Sequence, residues 1–287
     1  MTASQVVTIG MPVFNGEKYI AEAIDALLQQ SYQDFVLLIS DNASTDATME
    51  ICREYAVSDS RVRYLRQREN IGATRNFISV LEKAESDYFM WAAYDDLWSK
   101  DWLETAVVAL EGNQDAAFAL SDVILKSINY KVWRTVPASR FSYVEEGGRE
   151  ERVLQYLNRH IYSHKTNMVY SLMRLPVLRE AVELAGFMNA EILCAAILWL
   201  APGVIMESGK FYKRYPKKWP AMFINKHPRP EKVLAFEASR DERYQSMKKV
   251  IPKLENAMEI IRVNYRPRTF GPDFRIVSDE ILESFRK

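Results

Sequence analysis

The sequence predicts an α/β fold in which helices flank a largely parallel, doubly wound sheet. Three observations support this prediction. Strand-like and helix-like segments alternate over the first 125 residues, short connections join them, and the strand-like runs are mostly apolar. Such runs are typical of parallel strands that helices cover on both faces. Ligands of such sheets bind beyond the carboxyl ends of the strands, so the residues that follow each strand are the candidates for function.

Each element follows from its hydrophobic pattern. The apolar runs predict strands at 5–14, 35–40, 62–65 and 88–93. Apolar residues spaced three and four apart predict intervening helices at 17–30, 46–57 and 72–83. Ser44 or Thr45 is placed to cap the second of these helices, and a further helix is expected to begin near Lys100.

The rest of the chain has a weaker pattern. We interpret 127–152 as a connection, 154–184 as pieces of helix with a strand-like run at 167–173, and 191–200 as an apolar helix. Residues 213–231 contain four prolines and predict an irregular segment, whereas 233–263 is helical in pattern. The predicted division is a core at 1–125, a second part of the same domain at 126–232 and a helical C-terminal extension at 233–287.

Composition and charge exclude several classes of protein. Lysine plus arginine and aspartate plus glutamate number 38 each, so we expect no nucleic-acid partner, which would need a basic excess. Cys52 and Cys194 are expected to be buried thiols without a redox role. The chain opens directly on a strand-like run, and its longest apolar run, 192–201, is shorter than the roughly 20 residues that span a bilayer. We therefore expect a soluble, cytoplasmic protein without a signal peptide.

The adjacent carboxylates Asp95 and Asp96, directly after the fourth strand, are the sharpest candidates for chemistry. Hard cations such as Mg²⁺ or Mn²⁺ bind carboxylate oxygens, and a metal that also bridges a diphosphate needs only one or two protein ligands. The alternative is that both residues only cap the helix near Lys100.

Polar residues also follow the second and third strands. Asp41 and Asn42 could hydrogen-bond a base or ribose, whereas helix capping in this turn would leave both without a role. After the third strand come Asn70 and Gly72, which lets the backbone approach a ligand closely. Arg75 is a candidate partner for phosphate. The alternative is an ordinary turn followed by a solvated helix face.

Four segments together resemble the successive signatures of family 2 glycosyltransferases with the GT-A fold. They are MPVFNGEKYI at 11–20, SDNASTD at 40–46, ENIGATRNF at 69–77 and AAYDD at 92–96. The resemblance is specific over residues 5–125 and weaker beyond. It implies transfer of a sugar from a nucleoside diphosphate donor, with UDP or dTDP as the first candidates, to a hydroxyl group with inversion at the anomeric carbon.

The resemblance also implies roles for individual residues. Asp96 would hold the divalent metal, Mn²⁺ or Mg²⁺, which neutralises charge on the leaving nucleoside diphosphate. The nucleotide would be bound by Pro12, Phe14, Asn15, Glu17, Asp41, Asn42, Asn70, Gly72, Arg75 and Asp95.

An inverting displacement needs a base for the acceptor hydroxyl. In similar proteins this base is an aspartate, often in an acidic pair at the start of an apolar helix. The matching place here is Asn189-Ala190-Glu191, which lacks the pair, so Glu191 is the predicted catalytic base. The alternative is that Glu191 is only a favourable charge in the first turn of that helix.

The proline-containing segment holds further candidates. His227 could reach the metal if this segment folds over the donor. A basic-aromatic cluster could clamp diphosphate, contact anionic lipid or, as charge runs usually do, form a solvated loop. Its members are Lys213, Arg214, Lys217, Lys218, Tyr212, Tyr215 and Trp219.

The resemblance implies a nucleotide-sugar donor and a glycan or lipid-linked glycan acceptor, in the synthesis of surface polysaccharide. Peripheral contact with the inner membrane face and a homodimer stay open. The second hypothesis, favoured by the missing acidic pair, is a catalytically weak nucleotide-sugar-binding subunit that positions a partner enzyme. A nucleotidyltransferase ranks last, because it would need a glycine-rich loop where the chain has PVFNGEK.

Overall fold

The computed structural model describes residues 6–127, 132–158, 164–185 and 190–215. Its strands are β1 (Val7–Val13), β2 (Phe35–Asp41), β3 (Val62–Arg66), β4 (Tyr88–Trp91), β5 (Leu97–Trp98), β6 (Phe118–Ser127), β7 (Val132–Val136), β8 (Leu172–Arg174) and β9 (Gly203–Tyr215). Its α-helices are α1 (Ile20–Leu28), α2 (Thr48–Ser58), α3 (Ala73–Glu82), α4 (Trp102–Gly112), α5 (Arg149–Asn158), α6 (Leu175–Ala185) and α7 (Ala190–Leu200). Short 3₁₀ helices lie at Ala138–Val144 and Lys165–Tyr170.

The described strands form one sheet in the order β3-β2-β1-β4-β8-β6-β9-β5, with β7 paired to β6. The first four strands in this order are parallel, and helices connect them in sequence. Beyond β4 the sheet is mixed, because β8 runs antiparallel to both of its neighbours while β9 runs parallel to β6. The predicted α/β class, with a mostly parallel sheet between helices, is confirmed.

The parallel strands form the centre of the core because their side chains are apolar on both faces. Every residue of β1 and β2 is buried. At Gly10 in β1, a Cβ atom would lie 2.7 Å from the Phe89 ring and 2.8 Å from a methyl group of Val80. Helix α3 therefore packs closely across β1 and β4, and this contact brings the first turn of α3 towards the carboxyl ends of the strands.

Two predictions on secondary structure are wrong. The strand-like run at 167–173 is mostly a 3₁₀ helix, and only Leu172–Arg174 forms a strand. This short strand lies between β4 and β6, where Met173 pairs with Phe89 and with Phe118. The connection predicted at 127–152 contains β7, and α5 already begins at Arg149.

The irregular segment predicted at 213–231 begins as strand, since residues 213–215 belong to β9. Residues 216–287, with the predicted C-terminal extension and His227, lie outside the described residues. Cys52 and Cys194 are buried thiols, as expected. Among the helices that the structure describes, none combines the length and the apolar character that a bilayer crossing requires.

Candidate functional site

The carboxyl ends of the parallel strands bring the predicted motif residues to one edge of the sheet. Val13, the last residue of β1, pairs with Asp41, the last residue of β2, and Asp41 pairs in turn with Arg66 on β3. Strand β4 lies on the other side of β1 and leads directly to the Asp95–Asp96 pair. The four polar segments that follow these strands are therefore neighbours in space.

The loop after β1 and the loop after β2 are linked by reciprocal hydrogen bonds. Three consecutive backbone N–H groups of the first loop donate to side chains of the second: Asn15 to Ser44 Oγ (2.9 Å), Gly16 to Thr48 Oγ1 (2.8 Å) and Glu17 to Asp46 Oδ2 (3.1 Å). In return, Asn15 Oδ1 accepts from the N–H of Thr45 (2.8 Å) and Glu17 Oε2 from the N–H of Ala47 (3.0 Å). Asn15 and Glu17 thus hold the two loops together.

These bonds correct the predicted helix cap. Helix α2 begins at Thr48 with Ala47 as its N-cap, and neither Ser44 nor Thr45 caps it. The Ser44 hydroxyl accepts the Asn15 N–H instead. Asp46 Oδ1 accepts the N–H of Thr48, the first residue of the helix.

The Asp41 carboxylate is fully buried and organises the turn after β2. Its Oδ1 accepts from the Ser44 N–H (2.8 Å), and its Oδ2 accepts from the Tyr64 hydroxyl and the Arg66 guanidinium, both at 2.6 Å. Burial acts to raise the pKa of Asp41, but the hydrogen bonds from Ser44, Tyr64 and Arg66 outweigh it, so the pKa lies below its ordinary value. The predicted contact of Asp41 with a base stays a prediction.

Asn42 connects the end of β2 to the loop before α3. Its side chain donates to Asn70 Oδ1 (2.9 Å) and accepts from the N–H of Ile71 (2.9 Å). Asn70 Oδ1 also accepts from the N–H of Gly72, whose φ of +82° favours glycine. Arg75 follows in the first turn of α3 and is exposed. Pro12 is buried in β1, whereas Phe14, directly after that strand, is 41% exposed.

Asp96 is the most deeply buried carboxylate of the predicted metal pair, with 1% of its surface exposed. Its Oδ1 accepts from the backbone N–H of Arg214 (2.8 Å), and its Oδ2 lies 3.9 Å from Lys213 Nζ. Burial raises the pKa of Asp96 to about 7; Lys213 and Arg214 oppose this rise, and the neighbouring Asp95 adds to it. Burial also raises the pKa of Asp95, again against Lys213.

The alternative role of this pair as a helix cap is wrong. Helix α4 begins at Trp102 with Asp101 as its N-cap, and β5 separates it from the carboxylates. A bound cation stabilises the ionised forms of two adjacent carboxylates whose pKa values are raised. Asp95 and Asp96 are therefore suited to hold a divalent metal. The described residues contain no group of three or more histidine, cysteine, aspartate or glutamate side chains that could hold a metal alone.

Strand β9 brings two basic residues to Asp96 that the sequence interpretation placed in a solvated loop. That interpretation is wrong for Lys213 and Arg214, which lie in the strand and contact Asp96. The Arg214 guanidinium bonds Glu22 Oε2 (2.8 Å) and lies over the Tyr19 ring (4.4 Å). The aromatic residues Phe211, Tyr212 and Tyr215 favour a strand, but the segment has no alternating pattern that would have placed Lys213 and Arg214 at the site. Lys217, Lys218 and Trp219 lie outside the described residues.

The predicted base, Glu191, lies in the first turn of α7 and is 5% exposed. It is close enough to the buried Tyr156 on α5 to raise the pKa of that phenol, as does Cys194, although burial is the main cause. The structure therefore places Glu191 near Tyr156 of α5, and Asn189 lies outside the described residues.

His164 is a residue that sequence reasoning did not place near the site. It adopts a left-handed conformation, with φ 64°. Burial lowers its pKa to about 4, and the positive charges of Arg134, Lys213 and Arg140 add to this effect. The imidazole is therefore neutral at physiological pH, and the charge of Lys213, which pairs with Asp96, contributes to this.

Comparisons with known proteins agree with this geometry. A family model described as glycosyl transferase family 2 matches residues 8–175. Glycosyltransferase GlyG of Streptococcus pneumoniae is 30% identical over 102 residues, which are 36% of this chain and 34% of GlyG. The dTDP-rhamnosyl transferase RfbG of Shigella flexneri is 31% identical over 119 residues, 40% of this chain and 41% of RfbG. The chain thus spans less than half the length of these relatives.

Solved structures of other glycosyltransferases share the fold. Residues 1–349 of S. aureus TarS align with a TM-score of 0.60 and 18% identity, covering 98% of this chain and 91% of that one. The mannosyltransferase PcManGT of Pyrobaculum calidifontis aligns with a TM-score of 0.55 and 16% identity, covering 92% and 74%. At these identities the likeness concerns the fold alone, and it confirms the GT-A type.

The family model covers more than half of the 287 residues, and its span includes all of β1 except Val7, the strands β2 to β4, the loops that follow these strands, and Asp95 and Asp96. The expectation of a transferase is confirmed at the level of the family. The chain belongs to glycosyl transferase family 2.

Proposed function

We propose that the chain is an inverting glycosyltransferase that moves a sugar from a nucleoside diphosphate donor to an acceptor hydroxyl. The observation that carries the proposal is the Asp95–Asp96 pair after β4, with Asp96 buried and Asp95 half-buried, at the same edge of the sheet as the loops after β1, β2 and β3. A diphosphate that shares a metal with these carboxylates would lie at the edge of the sheet, where α/β folds bind their ligands.

Relatives support UDP or dTDP as the nucleotide. TarS has been solved with UDP-GlcNAc and with UDP, and RfbG is named a dTDP-rhamnosyl transferase. A role in polysaccharide synthesis is supported by TuaG of Bacillus subtilis, a putative teichuronic acid biosynthesis glycosyltransferase, 33% identical over 99 residues. The acceptor would be a glycan or lipid-linked glycan.

The proposed nucleotide-binding residues fall into groups that differ in the exposure of their side chains. Phe14 and Arg75 project from the site edge, so they would contact the base and the phosphates directly. Asn15, Glu17 and Asn42 already bond neighbouring loops, so they would act mainly by holding the pocket in shape. Asp95 is half-buried and would face the ribose or the sugar.

The residues present fit a divalent metal, Mn²⁺ or Mg²⁺. Asp95 and Asp96 offer hard oxygen ligands, and burial of both disfavours their ionised forms unless a cation is added. PcManGT, which shares the fold, was solved with GDP-Man and Mn²⁺. When bound, the metal would neutralise the charge that develops on the leaving diphosphate. Asp96 would be its main protein ligand.

Calorimetric binding of UDP, GDP and dTDP, each with and without Mn²⁺, tests the donor site. We expect one nucleotide to bind only with metal, and Asp96→Asn to weaken that binding at least 30-fold, about 2 kcal/mol. The Asn variant is chosen because its Oδ1 still accepts the Arg214 N–H. Asp115→Asn is the control, because this exposed aspartate lies just before β6, at the opposite edge of the sheet. Metal-independent binding in wild type, or unchanged binding in Asp96→Asn, would contradict the assignment.

Glu191→Gln tests the proposed base. If Glu191 takes the proton of the acceptor hydroxyl, this nearly isosteric variant should lose about 10²–10⁴-fold in turnover, while the Kd of the nucleotide stays unchanged. Release of nucleoside diphosphate in a screen of glycan and lipid-linked glycan acceptors measures the turnover. Glu183→Gln, at an exposed position on α6, is the matched control.

One observation favours the second hypothesis, a catalytically weak subunit that binds nucleotide-sugar for a partner enzyme. The start of α7 carries Glu191 without a second acidic residue beside it, and this side chain is buried near Tyr156. This hypothesis predicts normal nucleotide binding, no turnover with any acceptor and no effect of Glu191→Gln. Turnover that survives Glu191→Gln at the wild-type rate would instead assign the base to another residue.

A further inference from the structure

Lys213 occupies a defined position beside the carboxylate that we assign to the metal. Its Nζ lies 3.9 Å from Asp96 Oδ2, 4.3 Å from the centre of the Tyr170 ring and 5.9 Å from that of Phe211. The side chain is 19% exposed. An ammonium held between a buried carboxylate and aromatic rings is a half-desolvated cation, unlike a lysine on a solvated surface.

The neighbouring residue fixes the backbone from which Lys213 extends. Arg214 donates its N–H to Asp96 Oδ1, and its guanidinium bonds Glu22 on α1. Side chains alternate along a strand, so Arg214 anchors β9 from the face opposite Lys213. The Lys213 stem is therefore anchored at its base, while its four-carbon chain lets the ammonium move between neighbouring anions.

The charge of Lys213 has a different effect at Asp96 when no metal is bound and when a metal is bound. With Asp96 unoccupied by metal, the ammonium neutralises Oδ2. A divalent cation bound to the same carboxylate would stand within a few ångströms of a like charge, and the low polarity of a buried site strengthens that repulsion. The diphosphate that arrives with the metal carries the negative charge that would attract the displaced ammonium.

Resting on the proposed function, we propose that Lys213 is a donor-binding residue that exchanges partners. Its ammonium pairs with Asp96 in the empty site and contacts the diphosphate once metal and donor are bound. The exchange disfavours binding of metal alone and favours joint binding of metal and nucleotide. It therefore gives the site a preference for the complete metal–diphosphate pair over either component.

The test uses Lys213→Met, which keeps an unbranched chain against the rings of Tyr170 and Phe211 but removes the charge. Calorimetry would measure Mn²⁺ alone and then the nucleotide that wild type binds, at saturating Mn²⁺. We expect Mn²⁺ alone to bind at least threefold tighter and the nucleotide at least tenfold weaker. Lys213→Arg should keep nucleotide affinity within about threefold of wild type.

Lys210→Met is the matched control, because this exposed lysine lies on the same strand, where it pairs with Asp122 on β6. It should change neither affinity. If the Met variant does not fold, as judged by thermal unfolding, Lys213→Gln replaces it. Nucleotide affinity within twofold of wild type would overturn the proposal, and so would weaker binding of Mn²⁺ alone, which indicates a supporting role only.

The two proposals fail in different ways. The proposed function fails in the wild-type protein, if none of the three nucleotides shows metal-linked binding. The exchange by Lys213 fails only in the comparison of its variants with a wild-type protein that does bind. Opposite changes in the two affinities support the exchange, whereas parallel changes overturn it.

Discussion

Individual residues around the site hold backbone conformations that most side chains avoid. Asn15 and Ala43 have φ values of 52° and 60°. Asparagine enters this region readily because its side chain bonds locally, whereas alanine does so at a cost of about 1 kcal/mol. The hydrogen bond from the Ser44 N–H to Asp41 spans Ala43 and stabilises its turn. Strain of this kind gathers in the loops that define the site.

Gly72 gives the clearest residue-level prediction. Its φ of +82° and ψ of 156° fall in a region that is almost exclusive to glycine, and a Cβ there would meet no atom within 4 Å. Gly72→Ala should therefore lower the free energy of unfolding by about 1–3 kcal/mol through backbone strain alone. Urea unfolding measures the change.

Gly112→Ala is the control for that experiment. Gly112 ends α4 and has no positive φ, and a Cβ added there would also meet no atom within 4 Å. Alanine there should leave the unfolding free energy unchanged or raise it by up to about 1 kcal/mol, since it favours helix and restricts the unfolded chain. Equal stability of the two variants would show that the conformation of Gly72 carries no strain.

At the scale of elements, β9 depends on α1 for its position. The Arg214 side chain is 6% exposed and bonds Glu22 in the first turn of α1, while the Arg214 N–H bonds Asp96. A contact between a helix and a strand thus fixes one oxygen of the proposed metal ligand. Because Arg214 is buried, weakening its bond to Glu22 should lower the stability of the fold and also disturb the contact of the Arg214 N–H with Asp96.

Glu22→Gln tests this dependence. The neutral amide keeps one hydrogen bond to the guanidinium but loses its charge, so unfolding free energy should fall by about 1 kcal/mol. Binding of nucleotide with Mn²⁺ should weaken roughly three- to tenfold, because the Arg214 N–H is less firmly held. Chemical unfolding and calorimetry measure the two effects.

The control is Glu50→Gln, since Glu50 is an exposed residue in the first turn of α2 and has the same relation to its helix dipole. Its free energy of unfolding should fall by no more than a few tenths of a kcal/mol, and it should bind nucleotide as wild type does. If Glu22→Gln binds nucleotide as wild type does, then β9 holds its place without α1.

At the scale of the whole molecule, the sequence predicts elements that depend on a local pattern, but it does not predict contacts between residues that are far apart in the chain. Strands β1 and β4 lie within the predicted segments, and β2 and β3 extend one residue beyond theirs, because each strand has a local apolar pattern that ends in polar residues. Lys213 and Arg214 gave no such signal. Their burial depends on Asp96 and Glu22, which lie 118 and 192 positions away from Arg214, and no spacing in a single sequence reports such pairs.

The same limit explains the candidate site. The carboxylate pair and its surrounding loops follow from strand ends alone, so the sequence predicts their convergence. The hydrogen bonds of Asn15, Glu17 and Asp41 to neighbouring loops could not be predicted, because residue type does not reveal whether a polar side chain faces a ligand or another loop. The exposure of each side chain distinguishes a residue that faces a ligand from one that bonds another loop, and only the folded structure gives that exposure.

The separation of 118 residues between Asp96 and Arg214 also sets an order of events during synthesis. At about 5–20 residues per second, the ribosome needs about 6–24 s to reach Arg214 after making Asp96. In this interval the first four strands can pair by local crossovers, while β6 still presents an open edge to other chains. The carboxylate meets its basic neighbours only when β9 emerges, well after the four parallel strands have been made.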